Sequence, residues 1–251
     1  MQTNKASLPV MSVQGKVDHP IMSGNGYRVG YDGYGRIPMA TGGIIYNYKI
    51  GDSCMGIAGD HIEPGVSLKN PVEKENNALQ AFACIGNRAK VISGDAKGKE
   101  GYVTGKHGGI EEIQLMNIDP ALFEGLGIVE EEQGIKIPVV TCVPAYLMGS
   151  GLGSATTMLG DYDIMTQDAQ ANKEFGINEL HFGDLVMIQD HDNHNGPHYR
   201  RGAVSVGIVV HADSYTSGHG PGLAVIMSSR CGSIEPILDP NANIANYLHI
   251  K

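Results

Sequence analysis

Closely spaced histidine and carboxylate residues form three groups that could carry chemistry. Six of the ten histidines fall between His181 and His219, a density that indicates a site. The groups are, in chain order, Asp60, His61 and Glu63; Asp190, His191, Asp192, His194 and His198; and His211, Asp213 and His219.

Mixed imidazole and carboxylate ligands suit Zn²⁺, Mn²⁺ or Fe²⁺, and an open coordination position lets the metal activate water. Without a metal, a His–Asp pair can act as a general base and its orienting partner. None of the groups contains H-E-x-x-H, and the chain has no G-x-S-x-G. The spacing therefore indicates a class of site without naming a reaction.

The strands around the second and third groups restrict which residues can meet. Alternating apolar residues predict a β-hairpin of Asp184–Gln189 with Ala203–His211. Such a hairpin separates its two ends by about 20–25 Å. One metal therefore cannot take ligands from both Asp190–Arg201 and His211–His219 unless the hairpin is strongly bent.

We expect the first and second groups to form the site, because each directly follows an apolar strand. Arginines beside the second group can hold an anionic substrate group. Asp, Asn, His and Gly are also ordinary turn residues, so a polar loop without function is the competing interpretation. The predicted catalytic residues are Asp60, His61, Asp190 and His191; the metal ligands are His61, Asp190, His191 and Asp192, with His211, Asp213 and His219 as the alternative; and the substrate-binding residues are Arg200, Arg201 and Glu63.

Composition places these groups on a glycine-rich globular chain. It has 251 residues, of which 41% are hydrophobic and 35 are glycine, which favours turns and close backbone approaches. A net charge of −9 opposes nucleic-acid binding. No apolar run reaches the ~20 residues of a membrane span. We expect a cytoplasmic homo-oligomer that acts on a small molecule, with its widely spaced cysteines reduced.

Turn-rich segments between short β-prone runs predict a mainly β fold, with a mixed or antiparallel sheet and few short helices. The clearest predicted helix starts at Asn70–Glu73, and shorter ones follow Asp119-Pro120 and span Asp168–Phe175. Ile135–Val143 reads as one continuous strand, and 234–251 as a loop followed by a short terminal element.

Residues 89–106, AKVISGDAKGKEGYVTGK, resemble a KOW motif, the strand–turn–strand of certain SH3-like barrels in ribosomal and transcription-elongation proteins. The resemblance implies a small barrel at 86–118, inserted into a body formed by 1–85 and 119–251. In that family the motif contacts RNA or protein. Because Lys97 and Lys99 are soon followed by glutamates, we expect protein contact or a purely structural role.

The segments GRIPMATGGIIYNYKIGD, AGDHIEPGVS and FGDLVMIQDHDN with RRGAVSVGIVVHAD resemble a prokaryotic family catalogued as a domain of unknown function and represented by structural-genomics structures. The resemblance implies a mostly β architecture and no particular activity. A shorter resemblance, at Gly51-Asp52 and Gly59-Asp60-His61, is to acetamidase/formamidase-type amidohydrolases.

These observations lead to two hypotheses. The first is a hydrolase-type enzyme, with or without a divalent metal, that acts on a small polar or anionic molecule through the His/Asp site. The second is a non-catalytic binding or assembly protein that uses the KOW-like barrel. A nucleophilic Cys54 or Cys142 is a further possibility that the spacing does not favour.

Overall fold

The computed structural model describes residues 11–22, 26–38, 42–105, 114–132, 134–152 and 160–250. Its strands are β1 (Lys16–Val17), β2 (Arg28–Val29), β3 (Gly35–Arg36), β4 (Ile44–Ile45), β5 (Gly65–Val66), β6 (Leu68–Lys69), β7 (Arg88–Lys90), β8 (Glu100–Tyr102), β9 (Gln114–Leu115), β10 (Val129–Glu131), β11 (Gly134–Val139), β12 (Thr141–Pro144), β13 (Tyr162–Asp163), β14 (Leu185–Asp192), β15 (His198–His211), β16 (Gly222–Ser229) and β17 (Ile234–Leu238). The helices are α1 (Glu73–Phe82), α2 (Pro120–Gly125), α3 (Ala169–Glu174) and α4 (Ile244–Tyr247), with single 3₁₀ turns at Ala145–Leu147 and Ile177–Glu179.

The largest sheet has the strand order β12-β14-β15-β16-β13, and β9 pairs with the far end of β16. β12 and β14 run parallel, and the other neighbours are antiparallel. The predicted hairpin is present as β14 and β15, with Leu185 opposite Ile208 and Gln189 opposite Val204. All of β16 is buried, because strands flank it on both sides and the core covers its faces. The mainly β, mixed-sheet fold predicted from the sequence is confirmed.

A second sheet, of order β10-β11-β17, corrects two predictions. Ile135–Val143 is two strands in different sheets, with a break at Val140. The segment predicted as a loop after Ile234 forms β17, parallel to β11. Pro236 argued against a strand, yet β17 is an edge strand, where a missing N–H costs no ladder hydrogen bond.

The helices follow their capping residues. Asp119 and Asp168 accept backbone N–H bonds at the starts of α2 and α3, the two shorter helices that were predicted. Gly176 ends α3 in a left-handed conformation. Asn70 does not cap α1: its Oδ1 accepts from the Val72 N–H, and the helix begins at Glu73.

The strand–turn–strand of the KOW-like segment is present as the antiparallel pair β7 and β8. Lys97 and Lys99 are exposed in the connecting turn. Part of the predicted insert, 106–113, lies outside the described residues, so the barrel at 86–118 stays a prediction.

The amino-terminal part consists of short two-stranded ribbons: β1 with β6, β2 with β3, and β4 with β5. Within residues 43–50, only Ile44–Ile45 is extended in a sheet. Tyr27, Tyr34 and Tyr46 are each at least 70% exposed, so this part packs little of its apolar surface within the described chain. Within the described residues, no helix has the length and apolarity needed to cross a membrane.

Candidate metal centre

One row of residues across the main sheet forms the base of the site. Gly222 at the start of β16 is paired with His211 at the end of β15 on one side and with Asp163 of β13 on the other. Adjacent strands lie about 4.8 Å apart, so His211 and Asp163 start about 10 Å apart. Their side chains meet above Gly222 because it has none. A Cβ there would overlap Asp161 Oδ2 and His211 Nε2.

Strand alternation brings a second carboxylate to the same place. Residues two apart in an extended segment face the same side, so Asp161 and Asp163 point together while Tyr162 points away. The Tyr162 hydroxyl donates to Asn193 Oδ1 at 3.1 Å on that opposite side. Asp161 contacts His211 Nε2 directly.

His61 arrives from the amino-terminal half of the chain. The segment that carries it runs beside the end of β15: Ala212 N–H donates to Ile62 O at 2.9 Å and Asp213 N–H to Cys54 O at 3.0 Å. His61 itself has φ of 53°, a left-handed conformation that a residue with a side chain rarely adopts. Such strain persists only where surrounding contacts enforce it, and it is frequent at functional sites.

His219 completes the cluster from the loop between β15 and β16. Gln167 Nε2 donates to the His219 carbonyl at 2.9 Å, which fixes the loop against the segment after β13. His219 Nδ1 lies 2.8 Å from Asp163 Oδ2 and 3.2 Å from His61 Nε2. His61 Nε2 lies 3.5 Å from the same Asp163 oxygen.

The donor atoms therefore form two sets that share Asp163. Within each set they lie within 4.8 Å of one another, close enough for one ion to reach all three. The outer set is His61, Asp163 and His219, and the inner set is Asp161, Asp163 and His211.

Further contacts orient the imidazoles. Asp60 Oδ2 lies 3.1 Å from His61 Nδ1, and Asp60 is held by the Ser214 hydroxyl at 2.5 Å and the Tyr215 N–H at 3.2 Å. On the inner side, His211 Nδ1 donates to the Ala212 carbonyl at 2.8 Å. In both histidines Nε2 is thus the atom that faces the cluster. Carboxylates and carbonyls in this position are typical partners of metal-binding histidines.

The charges of the cluster compensate one another. Burial alone would lower the pKa of His61, but its hydrogen bonds to Asp163 and Asp60 outweigh that effect and raise the pKa to about 9. Burial would likewise lower the pKa of His211, yet Asp161 and Asp163 hold it well above the ordinary value. The three histidines keep the pKa of Asp163 well below its usual range despite burial. A cation is therefore favoured next to these carboxylates.

The sets differ in access to solvent. The side chains of His61 and His219 are 24% and 27% exposed, whereas those of His211 and Asp163 are 6% and 5% exposed. A small molecule would therefore reach the cluster from the side of His61 and His219. Next to this opening lies Tyr215, whose ring stacks on the Arg36 guanidinium at 4.0 Å.

The structure does not join Asp60 and His61 to the predicted second group. Among the described residues, His61 makes no hydrogen bond or ion pair with Asp190, His191 or Asp192. The physical reason is that the segment of His61 runs beside the end of β15, at the opposite end of the hairpin from this group. In addition, His191 points to Ser205 and Asp192 to Arg230, so these neighbours in β14 do not converge on one ion. The fourfold ligand set His61, Asp190, His191 and Asp192 is not assembled.

Each residue of that group has another partner. Asp190 sits at the bulge of β14 and accepts from the Gly202 N–H at 2.7 Å. His191 Nδ1 lies 2.8 Å from the Ser205 hydroxyl, and burial lowers its pKa to about 4. Asp192 Oδ2 lies 2.8 Å from Arg230 Nε and its Oδ1 lies 2.7 Å from His194 Nδ1.

The predicted substrate-binding residues also lie apart from the cluster. Arg200 Nη1 lies 3.9 Å from Asp192 Oδ2, and Glu63 accepts from the Ser67 hydroxyl at 2.7 Å. Arg201 is exposed on β15, where its hydrogen bond to Tyr199 raises its pKa. The substrate-binding role of these three residues stays a prediction.

The alternative group contributes two of its three residues. His211 and His219 are in the cluster, but Asp213 accepts from the Thr166 hydroxyl at 2.6 Å and from the Ser214 N–H at 2.8 Å. Burial raises the pKa of Asp213. The hairpin argument holds, since these histidines lie at the end of β15 opposite to Asp190–Asp192.

The thiols are poor candidates for a nucleophile. Burial raises the pKa of Cys54 far above its ordinary value and also raises that of Cys142. A thiol with a raised pKa holds little thiolate at neutral pH.

Sequence reasoning missed Asp161 and Asp163. The signal was present as the alternating Asp161-Tyr162-Asp163 after a glycine-rich loop, a pattern that puts two carboxylates on one face of a strand. That glycine-rich loop lies beside it: Gly149 N–H donates to the Asp163 carbonyl at 2.8 Å. Its continuation, 153–159, lies outside the described residues.

Comparisons with known proteins assign the chain to a family in two consecutive parts. Residues 27–130 match the N-terminal part of the domain of unknown function DUF4438, and residues 125–248 match its C-terminal part. His61 lies in the first match and the other ligands in the second, so both parts are needed for the cluster. The discontinuous division of the chain around 86–118 stays a prediction.

A solved structure titled "Crystal structure of TM1086" has 42% sequence identity to the chain and a TM-score of 0.88, over 98% of this chain and 99% of that one. No curated protein matches. The two family matches and this full-length similarity show that the chain belongs to the DUF4438 family.

Proposed function

We propose that the protein is a metal-dependent hydrolase whose catalytic ion is bound by His61, Asp163 and His219. The observation that carries the proposal is the convergence of these three side chains, with the orienting carboxylate of Asp60 behind His61. Two imidazoles and one carboxylate are a ligand set that leaves positions open for water and substrate.

The residues around the ion have separable tasks. Asp60 holds the ring of His61 so that Nε2 faces the ion. Asp163 supplies the negative charge and is itself fixed by the Gly220 N–H at 3.3 Å. The ion supplies Lewis acidity and an activated water. The water oxygen bonds to the electrophilic atom of the substrate, the bond to the leaving group breaks, and the proton of the water passes to the leaving group.

Charge and access support a small polar or anionic substrate. In a protein of net charge −9, a divalent cation at the opening beside His61 and His219 offers open coordination positions to a polar or anionic oxygen. An anionic group near the scissile bond is attracted to such a site because the surrounding protein partly excludes water.

The experiment is metal analysis followed by a hydrolase screen. Protein stripped with chelator and incubated with Zn²⁺ or Mn²⁺ is expected to retain stoichiometric metal after desalting. His61→Ala and His219→Ala should each lower retained metal and abolish hydrolysis of any ester, amide or phosphoester found in the screen. His198→Ala is the matched control, because this half-exposed histidine lies at the opposite end of the hairpin. Wild-type protein that retains no metal would refute the proposal.

A second candidate is the non-catalytic binding or assembly protein. One observation favours it: the β7–β8 hairpin presents Lys97 and Lys99 on an exposed turn. A Lys97→Glu, Lys99→Glu double variant should then lose a partner that co-purifies with the wild type, while Lys69→Glu, Lys74→Glu should keep it. Retention of every partner by the first variant would exclude this use of the hairpin. The predicted homo-oligomer and cytoplasmic location stay predictions.

A further inference from the structure

The two carboxylate oxygens of Asp163 face different histidines. Oδ2 lies 2.8 Å from His219 Nδ1 and 3.5 Å from His61 Nε2. Oδ1 lies 3.5 Å from His211 Nε2 on the other side. One carboxylate thus turns one oxygen to the outer set and the other oxygen to the inner set. This is the arrangement in which a carboxylate bridges two metal ions.

We propose that the protein binds a second divalent cation at Asp161, Asp163 and His211, with Asp163 bridging the two ions. The inference rests on the proposed function for the outer ion and adds to it a binuclear centre. Paired ions in hydrolytic sites lie about 3.5–4 Å apart. The rings of His61 and His211, which would bind one ion each, have centroids 4.7 Å apart. The cluster is therefore compact enough for such a pair.

The inner set is a preorganised ligand set, because its side chains are already oriented and buried before an ion binds. His211 Nδ1 donates to the Ala212 carbonyl, so Nε2 is the ring nitrogen that faces Asp161 and that would bind the ion once the ion displaces its proton. The side chains of Asp161, Asp163 and His211 are 13%, 5% and 6% exposed. Two buried carboxylates need a compensating cation, since uncompensated buried charge is costly. A divalent ion with one neutral imidazole meets that need.

Gly222 gives the donor atoms of the inner set room to lie together. A Cβ at that position would meet Asp161 Oδ2 and both His211 Nε2 and Cδ2 at overlapping distances. Its φ is not in the left-handed range, so no backbone requirement explains the glycine. The missing side chain instead leaves space at the donor atoms of the inner set.

Two ions would divide the work of hydrolysis. The outer ion, at the solvent-accessible side, would bind a substrate oxygen, and the inner ion would share the water or hydroxide that attacks. A symmetric pair stabilises both the attacking and the leaving oxygen in an in-line displacement. This favours substrates whose hydrolysed group offers an oxygen to each ion, such as phosphoesters.

A single ion with a proton on His211 is the rival arrangement. In it, the protonated imidazole compensates Asp161 and Asp163, and the inner set takes no metal. The rival predicts one ion per chain and no interaction between ions. Stoichiometry and electron paramagnetic resonance of the Mn²⁺-loaded protein separate the two arrangements without any mutation.

We expect two Mn²⁺ per wild-type chain and the spectrum of an exchange-coupled pair. His211→Gln should bind one ion with the six-line spectrum of isolated Mn²⁺. The dissociation constant of the inner ion should rise more than ~100-fold, because loss of a direct ligand weakens binding more than loss of a residue that only hydrogen-bonds to a ligand. Asp161→Ala should behave in the same way. It serves as the second variant if His211→Gln does not fold, because the Asp161 side chain lies closer to the surface than that of His211. Circular dichroism checks the fold of each variant.

The outcomes separate this inference from the proposed function. One ion per wild-type chain, lost in His61→Ala and retained in His211→Gln, would overturn the binuclear centre and leave the mononuclear hydrolase standing. No ion in the wild type would overturn both. Two uncoupled ions, with the second unaffected by His211→Gln and Asp161→Ala, would also overturn the assignment of the inner set.

Discussion

Gly222 and His211 are register partners on adjacent strands, and the space above Gly222 is occupied by the imidazole of His211. The same glycine is paired with Asp163 on its other side. One position without a side chain therefore allows residues of β15 and β13 to meet across β16. The candidate centre depends on this absence as much as on its ligands.

The first prediction is that Gly222→Ala removes the inner ion. Its methyl group would overlap the donor atoms of Asp161 and His211, which must then separate. We expect metal content to fall from two ions to one and hydrolysis to drop at least tenfold, since misplaced ligands weaken a metal site by about 10–100-fold. Metal analysis and the rate with a substrate from the screen measure both effects.

Gly160→Ala is the matched control for this change. Gly160 is adjacent to Asp161 and has a φ that residues with side chains adopt, and no atom of the described residues lies within 4 Å of where its Cβ would be. The control should keep both ions. If Gly222→Ala also keeps both ions and full activity, the absence of a side chain at position 222 is not required for binding of the inner ion.

The second prediction concerns Asp60, a positioning residue. Asp60→Asn keeps the shape of the side chain and a hydrogen bond to Ser214 but loses the charge that orients His61. We expect the affinity for the outer ion to fall about 10–100-fold, with an unchanged fold by circular dichroism. Asp95→Asn, an exposed change of the same charge in the β7–β8 turn, should have no effect. Equal metal affinity in the two variants would show that Asp60 has no orienting role.

The fold was largely predictable because local signals and long-range pairing agreed. The β14–β15 hairpin follows from alternation, and α2 and α3 follow from Asp119 and Asp168 as caps. β17 was not predictable in the same way. Its Pro236 conflicts with a strand in any local view, and only its position at the edge of a sheet removes the conflict.

The site was half predictable for a related reason. Residue types identified His61, His211 and His219, but they could not show that His61 meets the end of β15 and not the end of β14. That contact depends on backbone bonds between residues far apart in sequence, such as Ala212 N–H to Ile62 O. Strand alternation could have excluded His191 with Asp192 as joint ligands and could have paired Asp161 with Asp163.

The third prediction tests the structural role of Asp192. Its carboxylate is fully buried and accepts from Arg230 Nε and from the His194 N–H. Asp192→Asn weakens these charge-assisted bonds, so we expect the free energy of unfolding to fall by about 1–3 kcal/mol. Metal content should stay that of the wild type. Chemical denaturation and metal analysis give the two values. Metal loss in a folded Asp192→Asn variant would restore Asp192 as a ligand.

The fourth prediction is a pH dependence of stability that comes from His191. Burial lowers the pKa of His191 from 6.5 to about 4 in the folded protein. Its Nδ1 lies beside the Ser205 hydroxyl, and its Nε2 has no hydrogen-bond partner among the described residues. In the unfolded chain the imidazole takes up a proton near its ordinary pKa. Between these two values the unfolded state therefore binds more protons than the folded state.

The contribution of His191 to the free energy of unfolding is therefore fully present above its pKa in the unfolded chain. It is lost as the pH falls toward its pKa in the folded protein. The slope is about 1.4 kcal/mol per pH unit, so His191 accounts for a loss of about 2 kcal/mol between about pH 7.5 and about pH 5. His191→Asn has no proton to take up and should lack this part of the loss. Denaturation of both proteins in chelator at the two pH values, which removes the effect of bound metal, gives the double difference. Equal losses in wild type and variant would mean that His191 is not held neutral in the folded protein.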